Sequence, residues 1–182
     1  LEGHPDNAAP ASFGGFNIAR GTDVRHFKVS PRLRFILLIP SFEVATMEAR
    51  RLLPGDILRT HAARSVANVA AIAAAFATRD YERLRGCFVD YLHQPFRKKL
   101  IPFLDRVIIA AERAGALGAF LSGSGSAICA LALENHNKIA AAMLRASRLS
   151  QAQTIITHSD NRGVRVSKSA IRHKCPSGSD IE

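Results

Sequence analysis

Tryptophan is absent from this 182-residue chain, and tyrosine and methionine occur twice each. Cysteine occurs three times, at Cys87, Cys129 and Cys175, never as a CxxC pair. Such spacing argues against a disulfide framework or a thiolate metal site and fits a reducing, cytoplasmic setting. No apolar run approaches the roughly 20 residues that span a bilayer. The first residues lack the basic start and apolar block of a secretory leader. Acidic residues are also scarce: 15 against 25 Lys and Arg, a net charge of +10. That balance suits nucleic acid, an anionic membrane surface or an anionic small substrate. The basic residues are scattered, however, and only FRKK (96–99) and the tail RVSKSAIRHK cluster. Aromatics are 7%, and nowhere are basic and stacking side chains interleaved. The chain therefore reads as having a solvated basic surface, with neither nucleic acid nor membrane as partner.

What is present alternates in an orderly way. GGFNIA and VRHFKV read as short strands with a glycine turn or bulge at Gly14-Gly15. RFILLIP, closed by Pro40, reads as a strand covered on both faces. Met47 to Leu53 reads as a short helix capped by Thr46 and ended by Pro54. A long Ala-rich helix follows, with Val66, Val69, Ala70, Ala73 and Phe76 on one expected buried face. A second is expected over about Tyr81 to Leu92, then a loop HQPFRKKLIP, then a helix from Phe103 stopped by Gly115 or Gly118. AFLSGSGSAICALAL reads strand, glycine turn, strand, and NKIAAAMLRASRL is helical with Ile139, Met143 and Ala146 inward. AQTIITHS supplies a strand and GVRV a candidate for another. This order implies an α+β class with a mostly antiparallel sheet.

Three stretches carry chemistry. Ser122 to Ser126 (SGSGS) is either a plain hairpin turn or a nest of backbone N–H groups facing a phosphate. In EGHPDN, the side chains of Glu2, His4 and Asp6 are conceivable metal ligands. The same stretch is equally a capping loop, or a substrate loop in which His4 and Asn7 offer directional hydrogen bonds. Arg50 and Arg97 are each a surface arginine on their own; together they form a guanidinium pair suited to a carboxylate.

The blocks EGHPDNAAPASFGGF, ATMEARRLLP, LHQPFRKKLIP, AGALGAFLSGSGSAICAL and DNRGVRV resemble, in family order, the homoserine kinases of the GHMP kinase superfamily. The resemblance runs from Glu2 to about Val166. It implies transfer of the γ-phosphoryl of ATP, with Mg2+, to the side-chain hydroxyl of L-homoserine in threonine biosynthesis. It implies that His4 and Asn7 lie against homoserine, with Asn7 at the hydroxyl where sister families place a carboxylate base. It implies that Arg50, following Thr46, and Arg97 bind the substrate carboxylate. Ser122, Gly123, Ser124 and Gly125 would support the ATP phosphate loop. Ser126 stands where many relatives carry Pro, which should loosen this turn.

The same resemblance sets expectations about what is missing. The glycine- and serine-rich ATP loop, the magnesium carboxylate and the acid for the homoserine amino group all precede EGHPDN in the family. The chain is thus expected to be a C-terminal part, inactive alone. Its first strands would lack sheet partners and leave an apolar edge, with dimerisation open. The fold implied is α+β: a ferredoxin-like antiparallel sheet with helices (31–166), a remnant of the N-terminal ATP and substrate domain (1–30), and a disordered tail (167–182). Two rival functions are a GHMP kinase for another small alcohol and a non-catalytic basic binding module.

Overall fold

A computed structural model describes residues 5–165. Helix α1 (Ala8–Phe13) leads into strands β1 (Phe16–Arg20) and β2 (Asp23–Phe27), which pair antiparallel with each other as a separate two-stranded sheet. Strand β3 (Arg34–Pro40) is followed by helices α2 (Thr46–Arg51) and α3 (Arg59–Thr78) and a 3-10 turn (Tyr81–Leu84). Next come α4 (Gln94–Arg97), α5 (Leu104–Arg113), strands β4 (Gly118–Leu121) and β5 (Ile128–Ala132), helix α6 (His136–Ser147) and strand β6 (Ala152–His158). The second sheet has the order β4-β5-β3-β6, and every neighbouring pair is antiparallel. Numbered from β3, this is a β-α-β-β-α-β unit, the ferredoxin-like arrangement the sequence implied.

The uninterrupted apolar run of β3 is explained by its place inside the sheet. Ile36 and Leu38 are fully buried against Leu104 and Val107 of α5 and Ile139 and Met143 of α6. Phe35 and Leu37, on the opposite face, pack with Phe76, Tyr81, Leu84 and Leu131. Helices therefore cover this sheet on both sides.

Several expectations are corrected. The buried face of α3 is Ser65, Ala75 and Phe76, while Val66 and Val69 are 69% and 64% exposed. In a helix so rich in alanine, most faces are about equally apolar, and periodicity fixes no rotation. No helix runs from Tyr81 to Leu92: after the 3-10 turn Gly86 takes φ +76°, which breaks the helical path. Conversely, the expected loop HQPFRKKLIP contains α4. Thr46 is the first residue of α2 rather than its N-cap, and its hydroxyl makes no cap. Residues 163–165 of GVRV form no strand; Val166 and the tail lie outside the described residues.

Two details tie down the second core. The Asn161 side chain clasps the Val29 peptide, accepting its N–H at 2.7 Å and donating to its carbonyl at 2.8 Å. The Tyr81 hydroxyl accepts the Ser30 N–H at 2.8 Å. Burial pushes the Cys129 thiol up from 9.0 to about 12. Between those values the unfolded chain loses this proton and the folded chain keeps it. The contribution is therefore complete below about pH 9 and is lost as pH rises, by about 1.4 kcal/mol per unit. Urea melts across this range should show a steeper alkaline loss for wild type than for Cys129→Ala. Parallel slopes would assign the loss to other groups.

Candidate active site

Three segments distant in sequence converge on the β4–β5 turn. The turn closes through Ser122 N–H to the Ala127 carbonyl at 2.9 Å and Gly125 N–H to the Ser122 carbonyl at 3.0 Å. Among the described residues, the amides of Gly123 and Ser124 have no hydrogen-bond partner. Gly123 and Gly125 adopt φ +57° and +94°. The turn is not loosened by Ser126: that residue is buried, and its hydroxyl donates to the Phe42 carbonyl in the β3–α2 connection.

Helix α4 approaches from one side. Pro95 stands in its first turn, where a missing N–H costs nothing. Ahead of it, the Asp90 carboxylate accepts the backbone N–H groups of Leu92, His93 and Gln94 at 2.7, 3.2 and 2.8 Å. These donors would otherwise be unsatisfied at a helix start. Gln94 Oε1 then accepts the Leu121 N–H at 2.7 Å, and Arg97 Nη1 donates to the Gly123 carbonyl at 2.8 Å. The helix is thus pinned to the first half of the turn, at Leu121 and Gly123. Sequence reasoning missed Asp90 and Gln94. The signal was there: an acid placed just ahead of a segment opened by proline.

Helix α2 approaches from the other side. Thr46 Oγ1 lies 3.5 Å from Ser124 Oγ, the outer limit of a hydrogen bond. Arg50 is exposed in the last turn of α2. The Arg97 guanidinium is half-buried, and its Nε is shielded from solvent with no partner. Burial lowers its pKa, the Asp90 carboxylate opposes that, and the positive charge of Arg50 lowers it further. Two cations thus repel each other at one partly dry site. An anion bound between them would relieve both burdens.

The structure therefore brings Thr46, Arg50, Arg97 and Ser122 to Gly125 into one neighbourhood. Asn7 lies exposed just before α1, and no side-chain hydrogen bond joins it to this group among the described residues. Its helix is held elsewhere, through Gly15 N–H to the Asp160 carbonyl at 2.7 Å and Val164 N–H to the Ser12 carbonyl at 3.1 Å. His4 lies outside the described residues. Among those described, no group of three His, Cys, Asp or Glu side chains is placed to hold a metal ion.

Comparison with known proteins relates the chain to a family. Residues 72–149 match the family "GHMP kinases C terminal". The homoserine kinase of Aquifex aeolicus is 38% identical over 173 residues, which are 91% of this chain and 58% of that protein. That of Carboxydothermus hydrogenoformans is 43% identical over 138 residues, 74% of this chain and 45% of the relative. The crystal structure of homoserine kinase from Cytophaga hutchinsonii superposes with a TM-score of 0.82 at 33% identity, covering 88% of this chain and 53% of the other. A Streptococcus pneumoniae phosphomevalonate kinase, 17% identical with a TM-score of 0.54, shares the fold alone. The chain spans 58% of the Aquifex relative's length. The chain carries a GHMP kinase C-terminal domain and is a homologue of the homoserine kinases.

Proposed function

We propose that this chain supplies the acceptor-binding part of a homoserine kinase, which serves threonine biosynthesis in the cytoplasm. The observation that carries the reading is the half-buried Arg97, with its free Nε beside Arg50. The pair receives the α-carboxylate of L-homoserine, a planar anion that guanidinium groups match edge to edge. Thr46 and Ser124 place hydroxyls at the rim of the same turn. The glycine turn, fixed by α4, supports the phosphate side. Residues 1–30 are read as the remnant of the ATP and substrate domain, the two strands β1 and β2 forming a sheet of their own.

In the reaction the side-chain oxygen of homoserine bonds to the γ-phosphorus of ATP as the bond to the ADP oxygen breaks. Such a transfer asks the protein chiefly for alignment and charge neutralisation. Asn7, placed at the hydroxyl by resemblance, carries an amide that takes no proton near neutral pH. The hydroxyl proton therefore leaves late, to the phosphate. A large rate gain with a new acid-limb pKa in Asn7→Asp would oppose this. Mg2+ would neutralise phosphate charge, and among the described residues no group of three His, Cys, Asp or Glu side chains is placed to hold it.

The acceptor site is tested by NMR titration of the 182-residue chain. L-Homoserine should shift the Arg97 Nε–H and Gly123 resonances, and 2-amino-1,4-butanediol, which lacks the carboxylate, should not. Equal shifts would remove the arginine pair from the reading and favour an alcohol substrate without a carboxylate. With ATP added, the purified chain should form no phosphohomoserine. The described residues include no glycine-rich loop opening a helix to hold the γ-phosphate. Steady product formation would overturn that expectation.

A further inference from the structure

Beside the candidate site, and sharing Asp90, Gln94, Arg97 and Gly123 with it, a cavity of about 490 Å³ lies between α3 and the sheet. Its walls include Phe16, Phe35, Ile72, Phe76, Phe88 and Phe120. Phe16 stacks on Phe76 at 4.2 Å and Phe88 on Phe120 at 4.9 Å. Volumes of this order hold small organic ligands. The lining also contains two polar atoms that are shielded from water and have no partner, Ser65 Oγ and Arg97 Nε. Ser65 is only 8% exposed. A helical serine usually settles its hydroxyl on the carbonyl one turn back; this one does not. Buried donors left open in an apolar chamber are costly unless something accepts from them.

We propose that this cavity binds a small amphipathic carboxylate, its hydrocarbon body among the phenylalanines and its oxygens accepting from Arg97 Nε and Ser65 Oγ. Homoserine is not that ligand, because its short polar side chain would leave the aromatic walls unmet; the two carboxylates draw on the same Arg97 Nε–H and so exclude each other. The proposal rests on the acceptor reading only through the readiness of Arg97 to take an anion.

The probe is 4-phenylbutyrate, added to the 182-residue chain in parallel with 4-phenylbutan-1-ol and L-homoserine. We expect the acid to bind at least tenfold more tightly than the alcohol and to shift the amides of Ile72, Phe88 and Phe120. Ser65→Leu, which fills the cavity from α3, should weaken the acid at least tenfold and leave L-homoserine binding unchanged. Ile72→Phe repeats the test if Ser65→Leu alters the circular dichroism spectrum. Equal binding of acid and alcohol overturns the site, as does undiminished binding in the filled variant. Loss of homoserine binding with phenylbutyrate binding intact counts against the acceptor reading alone.

Discussion

Arg97→Lys should weaken L-homoserine binding about 30-fold in titration calorimetry, a loss of about 2 kcal/mol. The size follows from the division of labour within one guanidinium. Nη1 is committed to the Gly123 carbonyl, and Nε, shielded and unpartnered, remains for a ligand. Lysine offers one ammonium group and must choose between the turn and the anion. The fold around it should survive, since the Asp90 bonds to the start of α4 and the Gln94 bond to Leu121 do not involve residue 97. Arg50→Lys is the informative companion. Arg50 is exposed and bears a charge that water already screens, so its loss should be below about fivefold. Binding by Arg97→Lys within about threefold of wild type would show that the carboxylate lies elsewhere.

A large effect on stability is expected from Gly125→Ala. At φ +94° an L side chain is strained, and the added Cβ would lie 2.5 Å from Ile101 Cδ1 and 3.1 Å from Leu121 Cδ1. Ile101 is fully buried, so its side-chain tip can move aside only by displacing its own neighbours. Backbone strain and overpacking together cost about 3 kcal/mol, or roughly 10 °C in Tm for a chain of this size. Gly123→Ala provides the control. It shares the positive φ, at +57°, but meets nothing within 4 Å, so about 1 kcal/mol is expected. Equal urea midpoints for the two variants would show that the packing around Gly125 yields.

How much of this was readable beforehand varies with the kind of signal. RFILLIP declared a strand covered on both faces, and the spacing of Ile139 and Met143 declared the inner face of α6, because burial writes itself into apolar pattern. The 81–92 segment misled for a physical reason. Its residues suit a helix, but Gly86 and the Asp90 carboxylate offer the backbone a better local arrangement. The rotation of α3 was legible only at Phe76, since alanine marks no face and a serine, Ser65, turns inward with it. In the site, no spacing rule connects Arg50 with Arg97. Their pairing was suggested by guanidinium chemistry and given a ligand by the resemblance between blocks of sequence, and the charge of Arg50 acting on Arg97 supports it. Asp90 and Gln94 passed unnoticed because they act on backbone groups, and such roles leave only a faint compositional mark.

The Asn161 clasp on Val29 joins residues 132 apart. Closing a flexible loop of that length costs about 4 kcal/mol from the logarithmic dependence on length alone. Two hydrogen bonds, each with a net value of about 1 kcal/mol, do not meet that cost. They form because the β3–β6 ladder, running from Arg34 with His158 to Pro40 with Ala152, has already brought both ends together. What remains to close is a few residues on either side. The clasp is therefore a late product of chain entropy already spent, and it seals the sheet rather than seeding it.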